Sequence, residues 1–116
     1  MPSDAAGIRG TPAYLSPEIL GGAEPSERDD LWSFSITLLE ACTGVNPFKA
    51  ATVNATVMRV LLESAQVARH ADRLPSNLPK LFRGLLGPLS GRPTRAADLV
   101  DRLTHVPVFP TPKGDA

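Results

Sequence analysis

The chain has no stretch of about 18 consecutive apolar residues, the least that a membrane-spanning helix needs. Its start, MPSDAAGIRG, lacks the apolar centre of a secretory signal. There is one cysteine, Cys42, so an internal disulfide is excluded, in keeping with a reducing compartment. Lys and Arg (12) balance Asp and Glu (12), and no basic block occurs. That balance argues against a nucleic-acid or acidic-membrane partner held by bulk electrostatics. No repeat is visible, and no segment alternates apolar and polar residues over a useful length, so little or no sheet is expected. His70 and His105 are lone and far apart, which indicates no metal site. What remains is a soluble chain, expected in the cytoplasm, whose 116 residues allow one domain with a modest core.

The 12 prolines and 9 glycines are spread as punctuation between short helical patterns. Ser26 followed by Glu27, Asp29 and Asp30 marks a helix start. The apolar residues Leu31, Trp32, Phe34, Ile36, Leu38, Leu39, Ala41 and Cys42 then surround nearly the whole axis, as in a helix enclosed by protein, and Gly44 ends it. Val53, Val57, Val60, Leu61 and Ala68 predict an amphipathic helix from about Thr52 to Ala71. A second stripe, Leu78, Leu81, Phe82, Leu85 and Leu86, follows a cap at Ser76 or Asn77. A third, Ala96, Leu99, Val100 and Leu103, follows a cap at Thr94. The expected fold is mainly α. Three short helices cannot cover every face of the central one, so an apolar patch above a few hundred Å² is expected, with self-association or a partner as its consequence.

The stretch Gly10 to Glu18, GTPAYLSPE, is a turn-rich loop running into a helix. Pro12 and Pro17 fix φ, and Ser16, Pro17 and Glu18 supply an N-cap, a first-turn proline and a first-turn acid. Local physics leaves Gly10, Thr11, Pro12 and Tyr14 unexplained. The whole string resembles the end of the activation segment of Ser/Thr protein kinases, Gly-Thr-Pro-x-Tyr-x-Ala/Ser-Pro-Glu, which forms a substrate-docking loop. DDLWSFSITLLEACTGVNPF, Asp29 to Phe48, is similar to the central helix of the kinase C-lobe, and GRPTRAADLVDRL, Gly91 to Leu103, to the segment opening its last helix.

The resemblance implies a partial, helical kinase C-lobe of the bacterial type, without sheet. Residues 1–9 would be a flexible activation-segment remnant, 10–105 the partial lobe, and 106–116 a Pro-rich disordered tail or linker start. It implies substrate docking by Gly10, Thr11, Pro12 and Tyr14, and structural support by Glu18, Arg92, Asp30 and Trp32. Thr11 would offer its hydroxyl beside a catalytic aspartate and lysine; on its own it is a turn threonine satisfying its backbone. Glu18 and Arg92 match a buried ion pair tying the docking loop to the last helix; apart from the family they are a first-turn acid and a solvated charge. Asp30 matches the aspartate that accepts hydrogen bonds from the catalytic-loop backbone; alone it caps a helix. Trp32 and Cys42 read as core. Ser35 stands where the family usually has glycine, adding volume against catalytic-loop docking. Ser3, in the loop's tail, is a phosphorylation candidate opposite Arg9, or a solvated serine.

The parts that handle ATP and Mg²⁺ in the complete family domain are not found: no glycine-rich loop, no Val-Ala-x-Lys, no Asp-Phe-Gly. His70, Asp72, Pro75 and Asn77 reproduce the H-x-D-x-x-P-x-N spacing of a catalytic loop. They lie after the docking loop rather than before it and read as an interhelical turn. The sequence therefore predicts a Ser/Thr kinase fragment with no catalytic residue and no cofactor of its own, inactive alone. Its partner would be a protein substrate or a complementing kinase segment. The alternative is a noncatalytic module that binds a kinase or its substrates.

Overall fold

A computed structural model describes residues 11–105. Gly10, Ser3, Arg9 and the tail from residue 106 lie outside them, as do the expectations placed on those positions. The described residues form helices and turns with no strand.

The short helix α1, Pro17–Leu20, starts as its sequence dictates, with Ser16 Oγ accepting the Ile19 N–H at 3.1 Å. The central helix α2, Glu27–Thr43, opens on a capping box. Ser26 Oγ accepts from the Arg28 N–H at 3.2 Å while Asp29 Oδ2 accepts from the Ser26 N–H at 2.6 Å. Capping thus falls to Asp29, and Asp30 stands exposed beside it. Gly44 ends the helix in the left-handed region, φ 85°, where a side chain would be strained.

One side of α2 forms the floor of the core: Leu31, Trp32, Ile36 and Leu39 are buried with Phe48, Val60, Val67, Phe82, Leu85, Leu86 and Leu99. Each large side chain so enclosed contributes about 1.5–3 kcal/mol. The expectation that α2 is enclosed all round is corrected. Phe34 is 46% exposed and Cys42 lies at the surface, because the other elements pack on one side of the helix and leave the Phe34 side open. Ser35, by contrast, is fully buried, its hydroxyl satisfied by the Leu31 carbonyl at 2.8 Å.

The long helix expected over Thr52 to Ala71 is two pieces. Helix α3 spans Val53–Glu63, capped by Thr52 Oγ1 on the Ala55 N–H at 3.0 Å, and the chain then tightens into a 3-10 helix over Ser64–Ala71. Its buried residues are Thr56 and Val60, while Val53, Met58, Leu61 and Leu62 are exposed. The change of pitch at Ser64 turns Val67 and Ala71 inward against the core.

Helix α4, Leu78–Leu86, buries all five apolar residues of its stripe. Neither Ser76 nor Asn77 caps it: Ser76 sits in the left-handed region, φ 59°, and the Asn77 side chain makes no cap bond. Helix α5, Ala96–Thr104, is not capped by Thr94. Its Ala96 N–H is taken by Glu27 Oε2 of α2 at 2.9 Å, and the Thr94 hydroxyl donates to Asp98 Oδ2 at 3.0 Å. A glutamate far away in sequence thus caps α5, fastening the first turn of α2 to the first turn of the last helix.

Candidate substrate-docking site

Residues Pro12–Tyr14 form a single 3-10 turn, closed by the Tyr14 N–H on the Thr11 carbonyl at 3.0 Å and the Leu15 N–H on the Pro12 carbonyl at 3.1 Å. So short a turn has no independent stability, and it is α2 and the segment after it that fix its position. Ser33 Oγ donates to the Tyr14 carbonyl at 2.5 Å. Asn46 Nδ2 donates to the Ala13 carbonyl at 3.3 Å, and Asn46 Oδ1 accepts from the N–H groups of Phe48 and Lys49 at 2.7 and 3.1 Å. The Tyr14 hydroxyl donates to Glu40 Oε1. That bond, with some burial behind it, raises the Tyr14 phenol above its ordinary value. Just downstream, the buried Ser16 donates its hydroxyl to Asp29 Oδ1 at 2.6 Å, so one carboxylate braces the starts of both α1 and α2.

The result is a loop whose Pro12 and Ala13 are buried and whose Thr11 is exposed at the rim. The Thr11 hydroxyl makes no cap bond to the turn; it is the Thr11 carbonyl that accepts.

Behind the loop lies a second constellation. Arg92 NH1 meets Glu18 Oε1 at 3.0 Å, Arg92 Nε donates to the Gly87 carbonyl at 2.8 Å, and the guanidinium lies 4.6 Å from the centroid of the Trp32 ring. The Arg92 side chain is 13% exposed and that of Glu18 34%, so the pair is half-buried. Arg28 extends the same seam, donating to the Leu89 carbonyl at 2.6 Å. The structure therefore brings Glu18, Arg92 and Trp32 together, joining α1, α2 and the turn before α5. Asp30 takes no part in that cluster.

Sequence reasoning missed Ser33, Glu40 and Asn46, the residues that hold the loop. A signal was present for two of them: Asp29, Ser33 and Glu40 share one face of α2 at helical spacing, a polar stripe on a helix otherwise read for its apolar residues. Asn46 carried no such signal.

His70, Asp72 and Asn77 do not form a catalytic constellation. All three are exposed on the turn between the 3-10 helix and α4, with Asp72 3.9 Å from Arg83. A cavity of about 560 Å³ lined by Glu63, Gln66, Arg69, His70, Asp72 and Arg73 opens there, away from any docking-loop residue. No helix among the described residues is long and apolar enough to cross a membrane.

A family model described as the protein kinase domain matches residues 2–108. The serine/threonine-protein kinase Nek5 of Mus musculus is 37% identical over 76 residues, covering 64% of this chain and 12% of that protein. The serine/threonine-protein kinase Nek8 of Danio rerio is 29% identical over 103 residues, covering 89% of this chain and 14% of that protein. Among solved structures, the twitchin kinase region from C. elegans superposes with a TM-score of 0.63 at 19% identity, covering 86% of this chain and 17% of that one. The chain thus spans about an eighth of the length of the curated relatives it matches.

Proposed function

The chain belongs to the protein kinase family and carries part of a Ser/Thr protein kinase domain; from that premise we propose that it supplies the protein-substrate docking loop of such a domain and transfers no phosphoryl group alone. The reaction it serves is transfer from ATP to a protein serine or threonine. The observation that carries the reading is the pinning of Pro12–Tyr14 by Ser33, Glu40 and Asn46, with Thr11 left exposed. A loop held before its ligand arrives loses little entropy on binding, so the rim can select a hydroxyl-bearing side chain.

The described residues do not fit ATP or Mg²⁺. No group of three or more His, Cys, Asp or Glu among them could hold a metal ion, and no glycine-rich turn faces a cavity. Phosphoryl transfer relies on such groups to position the phosphates and offset their charge, so no step of it is assigned here. The reading stays at Ser/Thr kinases in general, since relatives from mouse and zebrafish lend the bacterial type no support. A cytoplasmic site of action accords with the lone exposed thiol of Cys42.

A second reading, a noncatalytic module that binds a kinase or its substrates, is favoured by the exposed Met58, Leu61 and Leu62 on α3 and by Phe34 on α2. A serine-containing peptide titrated into the isotope-labelled 116-residue chain separates the two by amide shifts. Saturable shifts at Thr11 to Leu15 support docking by the loop. Shifts confined to α3 or the Phe34 side of α2 would replace it with the second reading.

A further inference from the structure

Where the start of α4 meets the end of α5, a cavity of about 250 Å³ is lined by Asn77, Lys80, Leu81, Gly84, Arg102 and His105. That is below the size at which pockets for drug-sized ligands begin, ~300 Å³, so its occupant is small. Its lining includes three cationic or potentially cationic side chains and no acid. The acid nearest in the chain, Asp101, is engaged from outside the lining, 3.3 Å from His105 Nδ1. Two of the groups are already aimed. Arg102 NH1 rests on the Gly84 carbonyl at 3.3 Å, and His105 Nδ1 lies 2.7 Å from the Asp101 carbonyl, which leaves the other ring nitrogen for a ligand. Like charges gathered without a carboxylate between them repel one another, and an anion that bridges them relieves that repulsion. The Asn77 amide, free of any cap bond, adds a neutral donor to the same wall.

We infer that this cavity binds a phosphomonoester group carried by a protein serine. A dianion with three acceptor oxygens matches an arginine fork, a lysine and an imidazole better than a carboxylate does. The choice of phosphoserine over free phosphate rests on the Ser/Thr kinase reading; the anion chemistry does not. The geometry makes the site a reader of phosphorylated protein, separate from the loop at Thr11.

The test titrates the isotope-labelled chain, at constant ionic strength, with inorganic phosphate, with end-blocked phosphoserine and with end-blocked serine. Saturable amide shifts at Lys80, Leu81, Gly84 and Arg102 are expected with the first two ligands, tighter for phosphoserine, and none with serine. Lys80→Glu, at an exposed position, should weaken binding about tenfold by replacing a charge-assisted contact with a repulsive one. His105→Gln, also exposed, should weaken it by a smaller factor and guards against misfolding of the first variant. Shifts absent with both phosphates, or unchanged in the two variants, overturn the site. Binding of phosphate but not of phosphoserine overturns the protein-borne source. Because these shifts are read at α4 and α5 and peptide docking at Thr11 to Leu15, either reading can fail alone.

Discussion

Replacing Arg92 with alanine removes three interactions at once, and their sizes follow from the geometry. The bond from Nε to the Gly87 carbonyl at 2.8 Å is charge-assisted and only 13% of the side chain is exposed, so its loss costs about 1.5 kcal/mol. The guanidinium 4.6 Å above Trp32 contributes about 1 kcal/mol in a partly desolvated setting. A fully buried ion pair would cost ~3–5 kcal/mol to break. Glu18 is 34% exposed, so water hydrates the stranded carboxylate and the ion-pair loss falls to about 1 kcal/mol. Arg92→Ala should therefore cost about 3–4 kcal/mol, a large share of the ~5–15 kcal/mol of an ordinary domain. Glu18→Gln should cost about 1 kcal/mol, and Arg92→Lys should fall between the two, keeping the charge while losing the fork and the planar stack. Urea unfolding followed through Trp32, the single tryptophan, measures all of these. The cycle formed with Glu18→Gln should show a coupling of about 1 kcal/mol that shrinks in high salt. A cost for Arg92→Ala below about 0.5 kcal/mol, the scatter of ordinary surface changes, would refute the reasoning, and so would a coupling of zero.

Other outcomes follow from single contacts. A Cβ at Gly87 would lie 2.3 Å from the Arg83 carbonyl oxygen, so Gly87→Ala should destabilise by about 3 kcal/mol in the same unfolding assay. Ser76 holds φ 59°, so Ser76→Gly should be neutral or stabilising by about 0.5 kcal/mol once glycine's greater unfolded-state freedom is subtracted. Glu27→Ala removes the cap on α5 and should cost about 1 kcal/mol, with loss of hydrogen-exchange protection at Ala96. The bond to Glu40 raises the Tyr14 phenol. The unfolded chain therefore ionises first, so the stability from Tyr14 is complete below pH ~10 and lost as pH climbs through the folded-state value. Ultraviolet titration of this single tyrosine should show the late ionisation, and Tyr14→Phe should abolish that part of the alkaline loss.

What the sequence made legible was local. Ser16, Ser26 with Asp29, and Gly44 mark helix ends because a cap is satisfied by residues within a turn of it. The five apolar residues of α4 could be read from their spacing because that helix has one buried face. Glu18 and Arg92 could be paired only through resemblance, since nothing in their neighbourhoods connects positions so far apart. The failures were tertiary. The Thr94 cap was displaced by Glu27, and the Thr52 to Ala71 helix changed pitch at Ser64 so that Val67 and Ala71 could meet the core. Cys42 fits a core position by type, yet it is exposed because no other element packs over that side of α2. Periodicity shows which residues share a face and is silent on what covers it.

Incubation of the purified 116-residue chain with radiolabelled ATP, Mg²⁺ and a serine-rich protein tests the division of labour most directly. The account predicts that no label reaches the protein at any chain concentration, while the same serine-rich protein shifts the Thr11 to Leu15 amides. Mg²⁺-dependent labelling that tracks with the chain through purification would contradict it.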